Sequence, residues 1–178
     1  LPVTAGADGL SLPETPGTRR QGYDVTWTGI PVGHHAVSVT DDGGAGNFTV
    51  TNQVDMMVDL VLFDVMRFTH TSKETWRDGR MAAFSSTTLD DGDLFEVTGM
   101  ATAEGLVFST TEQDTNNADA LIKETDALAP HDIMTSNDIW AAPEPGTHAL
   151  LNAKKGEIVE VTVQSPATTT LSYQGSSH

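Results

Sequence analysis

Apolar and polar residues alternate along the chain from Asn47 to Thr88, and this alternation predicts the architecture. Nine apolar residues fall on even positions: Phe48, Val50, Val54, Met56, Val58, Leu60, Leu62, Met66 and Phe68. Polar residues stand between several of them on odd positions, and the even positions are interrupted by Asn52, Asp64, His70, Ser72 and Glu74. A period of two kept over this length predicts a half-buried β-strand, or two strands in continuous register.

Turn signals recur on both sides of this stretch at a spacing of roughly ten residues. Asp78-Gly79 has the sequence of a type I′ hairpin turn. Further turn sequences rich in Gly, Asp or Pro occur at residues 29–33, 41–46, 90–93 and 104–105. The sequence therefore predicts a mainly β fold, an antiparallel meander of roughly eight to ten strands curled into an open barrel or a strongly bent sheet, with one long covering segment.

The remaining parts of the chain lack this alternation. Residues 1–21 contain Pro and Gly without a sustained period, and they are predicted to form an extended N-terminal arm. Residues 22–178 are predicted to form a single β-rich domain. Within it, residues 113–156 are predicted to be a covering loop with at most a short helix near residues 132–140, and strands resume at residues 157–164 and 168–173.

Both faces of the long strand become apolar between Val61 and Val65, because Val61, Phe63 and Val65 occupy odd positions. A strand that is covered on both faces explains this pattern. One face would contact the core of the sheet, and the other would contact a covering loop, a partner or a lined cavity. We predict that these three residues, together with Trp76 and Trp140, contact a ligand.

The composition excludes several classes of partner and chemistry. The net charge is −16, from 25 acidic and 9 basic residues, and such a surface repels nucleic-acid backbones and anionic lipid head groups. No run of about 18 apolar residues is present, so we expect no direct membrane insertion.

The absence of cysteine excludes disulfides and thiolate chemistry. The chain begins at Leu1, and we expect a processed or trimmed chain, for which removal of a signal peptide is one ordinary cause.

Six short motifs lie between Gly22 and Gly156: Gly29–Val37, Phe68-Thr69-His70, Glu74-Thr75-Trp76, Asp78-Gly79-Arg80-Met81, Thr87–Gly92, and Leu150-Leu151-Asn152 followed by Gly156. Together they resemble a family of exported proteobacterial proteins that is catalogued as a domain of unknown function. The resemblance implies a periplasmic or secreted β-sheet domain, and it implies no activity. The chain departs from the family where a Pro-Thr-Ser-Tyr-Trp element is represented by Thr135-Ser136 and a displaced Trp140. Family members usually continue through further terminal strands, so we expect a truncated chain.

A candidate site for chemistry lies at His70, Ser72, Glu74 and Trp76, which are spaced two residues apart and so share one face of a strand. In a catalytic interpretation Glu74 is the general acid or base and His70 is its partner. Arg80 binds an anionic group of the substrate, and Trp76 forms an apolar or sugar-stacking wall. On an extended strand His70 and Glu74 are roughly 13 Å apart, so they would act from opposite sides of a substrate or across a bulge.

A structural interpretation of the same residues is also open. In it Glu74 pairs with Arg77 or Arg80 across the hairpin, and Trp76 packs over the ion pair.

No metal or cofactor site is predicted. His34 and His35 are adjacent, so they point to opposite faces of a strand, and the spacing of the other histidines is not a metal signature. The acidic turn at residues 90–93 lacks the twelve-residue pattern of a calcium loop.

Three functions are open on the sequence alone. The first is an exported domain that binds an apolar, lipid-like or glycan ligand in a curved β-sheet pocket. The second is a lyase or hydrolase that uses Glu74 and His70 without a cofactor. The third is a structural or assembly protein of the envelope, for which a homo-oligomer is expected.

Overall fold

A computed structural model describes residues 17–60, 63–117, 122–130, 133–136 and 145–163 of the chain. Eight strands form the large sheet: β1 (Thr18–Trp27), β2 (Ile30–Asp41), β3 (Phe48–Leu60), β4 (Phe63–Arg77), β5 (Arg80–Asp90), β6 (Asp93–Ala101), β7 (Leu106–Asp114) and β8 (Lys123–Ala129). Three more form the small sheet: β9 (Met134–Thr135), β10 (Gly146–Asn152) and β11 (Glu157–Val163).

The large sheet is an antiparallel meander in which each strand pairs with its neighbours along the chain. The sheet is not closed, and the predicted mainly β meander is confirmed. The described residues contain no helix that is long and apolar enough to cross a membrane. In the small sheet β10 lies in the centre, antiparallel to β11 and parallel to β9.

Three of the connections are two-residue turns in which both residues have positive φ. The angles are 50° and 85° at Thr28-Gly29, 51° and 73° at Asp78-Gly79, and 52° and 100° at Asp91-Gly92. These are the angles of type I′ turns, whose twist matches the right-handed twist of paired strands. The predicted hairpin turn at Asp78-Gly79 is confirmed, and the first turn lies at Thr28-Gly29 because β2 already begins at Ile30.

The even positions of β3 and β4 point to one side of the sheet, which we call the inner face. Buried residues on this face include Val50, His70 and Glu74, while their odd-numbered neighbours are exposed or half-buried. The register between β4 and β5 shifts between Thr75 and Trp76. This bulge explains why Met81 and Phe84, three residues apart on β5, are both buried.

The small sheet packs over the inner face of the second half of the large sheet, in what we call the covered region. Its core is formed by Met81, Phe84, Val97, Leu106, Phe108 and Ala129 of the large sheet with Ile133, Leu151 and Ala153 of the covering part. A side chain at Gly156 would overlap Thr110, so the turn after β10 also lies directly on the large sheet. Burying each large apolar side chain contributes about 1.5–3 kcal/mol, so the small sheet is held chiefly by this core.

A second apolar cluster lies on the first half of the large sheet. Val37, Val39, Phe48 and Val50 are buried together, with Tyr23 and Trp76 packed against them. Between the two clusters the inner face carries the polar residues described below.

The segment from 113 to 156 is more regular than the loop that the sequence predicts. β8 belongs to the large sheet, and β9 and β10 form two strands of the small one. Residues 132 and 137–140 of the predicted helical stretch lie outside the described residues, as do residues 1–16 of the predicted arm and the predicted strand at 168–173. Residues 18–21 belong to β1, and β11 confirms the strand that was predicted from residue 157.

Candidate functional site

Six buried polar side chains meet on the inner face and form what we call the polar cluster: Asn52, His70, Ser72, Glu74, Ser86 and Thr88. Asn52, Ser72 and Ser86 stand side by side on β3, β4 and β5 in one cross-strand row. His70 and Thr88 are paired in the next row on one side, and Glu74 lies in the next row on the other. Directly opposed residues in an antiparallel sheet have Cβ atoms roughly 4.5–5.5 Å apart, so these side chains are neighbours.

His70 is held in its neutral form by its surroundings. Its Nδ1 lies 2.7 Å from the Thr88 hydroxyl oxygen, and both side chains are buried. Burial, and secondly the charge of nearby His35, lower the pKa of His70 from 6.5 to about 4. A neutral imidazole offers one hydrogen-bond donor and one acceptor, so at neutral pH His70 presents no charge to the inner face.

His35 adds a second imidazole beside the polar cluster. The predicted opposite orientation of the adjacent histidines is confirmed, since His34 is exposed and contacts Asp24 while His35 lies on the inner face. His35 Nε2 is 3.4 Å from Asn52 Oδ1, and its ring centroid is 5.7 Å from that of Tyr23. Burial lowers the pKa of His35, and the Asn52 hydrogen bond opposes that shift.

Asn52 has an unpaired amide atom in a buried position. Its side chain is 2% exposed, and Nδ2 has no hydrogen-bond partner among the described residues. A buried polar atom without a partner costs free energy, and such atoms are rare in folded proteins.

Glu74 is completely buried, with hydrogen bonds at both carboxylate oxygens. Thr135 Oγ1 of β9 donates to Oε1 at 2.7 Å, and Trp76 Nε1 donates to Oε2 at 3.1 Å. Val50 and Phe84 are its cross-strand neighbours. Because Thr135 belongs to the small sheet, Glu74 also ties the small sheet to β4.

The predicted ion pair between Glu74 and an arginine is wrong. Arg77 donates instead to Asp42 at 2.8 Å. Arg80 lies opposite Arg77 at the β4–β5 turn, and its side chain is exposed. The structure therefore does not bring Arg80 into the polar cluster.

The other predicted site residues are placed only in part. Trp76 is half-buried and stacks on Phe48, with ring centroids 5.4 Å apart. Phe63 begins β4 opposite Leu60, at the end of the β3–β4 hairpin. Val61 and Trp140 and the side chains of Phe63 and Val65 lie outside the described residues, so their assignment to a ligand site stays a prediction.

The polar cluster is suited to hydrogen bonding of a neutral group rather than to direct proton transfer between His70 and Glu74. Both face inward from β4 with Ser72 between them, and four residues of extended strand span roughly 13 Å. No three His, Asp or Glu side chains of the described residues converge to hold a metal ion. The polar cluster therefore offers amide, imidazole and hydroxyl groups, together with a Glu74 carboxylate that already accepts two hydrogen bonds.

Several members of this site were not identified from the sequence. Asn52 was recognised only as an interruption of the apolar face, and Ser86, Thr88 and Thr135 were not predicted to belong to the site. The type I′ turn predicts that Arg80 and Met81 pair with Arg77 and Trp76. The bulge between Trp76 and Thr75 then shifts the pairing of all later β5 residues by one position. The partnership of Thr135 with Glu74 depends on the small sheet, and no local sequence signal predicts it.

The chain matches the family model described as "Domain of unknown function (DUF6134)" over residues 23–178, and it belongs to this family. No curated protein and no solved structure matches the chain. The family description carries no activity, so a function has to be argued from the polar cluster.

Proposed function

We propose that this domain binds a small or elongated ligand on the inner face of its curved sheet. The observation that carries the proposal is the polar cluster, in which six polar side chains are buried together between two apolar clusters. Desolvating so many polar groups stabilises a fold poorly, and it is a common feature of sites that orient a ligand.

The surroundings of the polar cluster support a ligand with both apolar and polar parts. Val37, Val39 and Val50 form apolar packing next to the polar cluster. His35 lies beside the amide of Asn52, and the ring of Tyr23, which packs against the same apolar cluster, contacts the ring of His35. A lipid-like molecule with a polar head, or a glycan that stacks on a ring, fits this combination. Val61, Phe63, Val65, Trp76 and Trp140 are the residues we predict to extend the contact.

We further propose that the domain works in the periplasm or outside the cell. The support is the resemblance of its motifs to an exported family. Expression of the complete gene product with its native N-terminus, followed by cell fractionation, tests this location. Recovery only in the cytoplasm would contradict it.

Native mass spectrometry of the protein purified from its own source tests ligand binding most directly. We expect the mass of the native protein to exceed the mass of the same protein after denaturation, with the difference released as an identifiable molecule. A ligand-free spectrum, together with no binding in a lipid and oligosaccharide screen, would contradict the proposal.

An assembly function is the second candidate, because β1 and β8 are the edges of an open sheet in the described part of the chain. Edge strands present unpaired backbone groups that pair readily with another chain. Light scattering separates the candidates, since assembly predicts a stable oligomer whose formation does not depend on a ligand.

The enzyme alternative keeps Glu74 as acid or base with His70 as partner. Its weakness is geometric: the Glu74 oxygens already accept hydrogen bonds from Trp76 and Thr135, and Arg80 is exposed at the β4–β5 turn. The Glu74→Gln variant described in the Discussion decides this alternative.

A further inference from the structure

The amide of Asn52 is the most specific feature of the polar cluster. One of its atoms contacts His35 Nε2 at 3.4 Å, while the other has no partner among the described residues. With the amide oriented as it stands, the unpaired atom is the donor Nδ2. A rotation of the amide by 180° exchanges the two atoms, because nitrogen and oxygen are nearly the same size. The unpaired atom would then be the acceptor Oδ1.

A hydroxyl group is the complement that serves both orientations, since it donates one hydrogen bond and accepts others. A carbonyl oxygen serves only the first orientation, and an ammonium group serves only the second. The neighbouring side chains have the same dual character. Ser72 is the direct neighbour of Asn52 in its row and Ser86 follows Ser72, and the neutral imidazoles of His35 and His70 each carry a donor and an acceptor.

The row through Asn52 contains no ionisable side chain from one edge of the large sheet to the other. It runs through Gln21, Val37, Asn52, Ser72, Ser86, Val97, Thr110 and Thr125. In the two flanking rows of the inner face, the ionisable residues on β2, β3 and β4 are His35, His70 and Glu74. The same rows carry Arg19 and Tyr23 on the edge strand β1, and Glu112 and Lys123 on β7 and β8. An anionic ligand group placed at Asn52 would meet no lysine or arginine in this row, and burying an uncompensated charge is costly. A cationic group would need the Glu74 carboxylate, whose oxygens already accept hydrogen bonds from Thr135 and Trp76.

We propose that the unpaired amide atom of Asn52 receives a hydroxyl group of an uncharged ligand. The inference rests on the proposed binding function of the inner face and narrows it to one chemical class. The shared chemistry is the neutral hydroxyl, whether it is carried by a sugar or by a lipid alcohol.

Titration calorimetry at neutral pH with two pairs of probes tests this class and separates the two sources. The sugar arm compares a neutral galactose trisaccharide with the matching galacturonic acid trisaccharide. The lipid arm compares dodecanol with dodecanoate. We expect either the galactose trisaccharide or dodecanol to bind at least tenfold more tightly than its carboxylate counterpart. The uncharged probe that binds shows whether the hydroxyl group belongs to a sugar or to a lipid alcohol.

Asn52→Leu is the matching variant, because leucine has a similar volume and no polar atoms. We expect it to weaken binding of the preferred probe at least tenfold. Its melting temperature without ligand should be unchanged or raised, since the variant removes an unpaired buried amide. Asn52→Val, which resembles its neighbours Val50 and Val54, is the second variant if leucine does not fold. Gln53→Leu on the exposed face of the same strand is the control and should leave affinity within twofold of the original.

Four results would overturn the inference. They are tighter binding of the carboxylate probes, unchanged affinity in Asn52→Leu, a large fall in the melting temperature of Asn52→Leu and Asn52→Val, and no binding of any probe. The first three leave the proposed function standing if a ligand co-purifies with the protein. No probe binding together with no co-purified ligand removes both the inference and the proposed function.

Discussion

The covered region and the polar cluster are neighbours on one inner face, yet they differ in what their side chains contribute. In the covered region, apolar residues such as Phe108 and Leu151 are excluded from water by the small sheet. In the polar cluster, groups of equal burial must exchange water for hydrogen bonds to gain a modest net stabilisation. The comparison indicates that burial in the covered region stabilises the fold more than burial in the polar cluster does.

The largest effect is expected from Phe108→Ala in the covered region. The Phe108 ring packs edge-to-face against the Phe84 ring, with the two ring centroids 6.0 Å apart. It also fills the space that a side chain at Gly99 would otherwise take. We expect the free energy of unfolding to fall by about 3–5 kcal/mol in denaturant titrations, because a large cavity forms. Val107→Ala is the control, since Val107 is the adjacent residue and is exposed. Similar losses in both variants would remove the distinction between the regions.

The second prediction concerns pH, and it tests whether His70 is held neutral. The pKa of His70 is about 4 in the folded protein, against 6.5 as its ordinary value. Between these values the unfolded chain binds the proton more readily, so stability falls as the pH falls from 6.5 to about 4. Lowering the pKa of His70 from 6.5 to about 4 corresponds to a loss of about 3 kcal/mol in the free energy of unfolding over this pH range.

Denaturant titrations at several pH values check this loss. The loss should shrink in His70→Gln and persist in His34→Gln, because His34 is exposed. Carboxylates also titrate in this range, so the quantity to compare is the difference in pH dependence between variant and original. Equal pH dependence in all three proteins would contradict a buried neutral His70.

A smaller effect is expected from Glu74→Gln, where the polar cluster meets the small sheet. The new amide can direct its oxygen to Trp76 Nε1, but its nitrogen then faces Thr135 Oγ1, which has to turn from donor to acceptor and gives up a charge-assisted hydrogen bond. We expect a loss of about 1–2 kcal/mol and a fall of several degrees in the melting temperature. Thr135→Val and the double variant complete a cycle that measures the coupling of the two residues. An unchanged melting temperature, with loss of a measured turnover, would instead support the enzyme alternative.

The smallest effect is expected from Ser86→Ala. The Ser86 hydroxyl donates to the Ala153 carbonyl at 2.6 Å, so it joins the polar cluster to the small sheet through one hydrogen bond. Its loss should lower the free energy of unfolding by about 1 kcal/mol. Ser85→Ala, one residue away on the exposed face, should change stability hardly at all. A loss as large as that of Phe108→Ala would show that the polar contacts, not the apolar core, hold the small sheet.

The sequence predicts the parts of the fold that depend on local pattern. Alternation over β3 and β4 and the Asp78-Gly79 turn were enough to predict the meander. The common face of His70, Ser72 and Glu74 was also predicted, because residues two apart on one strand necessarily share a face.

Features that depend on register or on distant pairing were beyond local pattern. Continuing β5 from its turn without a bulge would place Ser85 and Thr87 on the inner face. The bulge moves the pairing by one residue and turns Ser86 and Thr88 inward instead. β8 was missed because its sequence, KETDALA, does not alternate: four polar residues are followed by three apolar ones. It also lies in a polar segment of the chain. The parallel pairing of β9 with β10 has no hairpin signal at all.

The connectivity of the large sheet has a consequence for the order of folding. Every strand pairs with its neighbour along the chain, so each hairpin closes a short loop at a low entropic cost. The contacts Glu74–Thr135 and Ser86–Ala153 join residues 61 and 67 positions apart, and they close far longer loops. We therefore expect the meander to form first and the small sheet to dock onto it. Native-state hydrogen exchange should show amides of β10 and β11 opening at lower free energy than those of β4 and β5, and equal protection would refute this order.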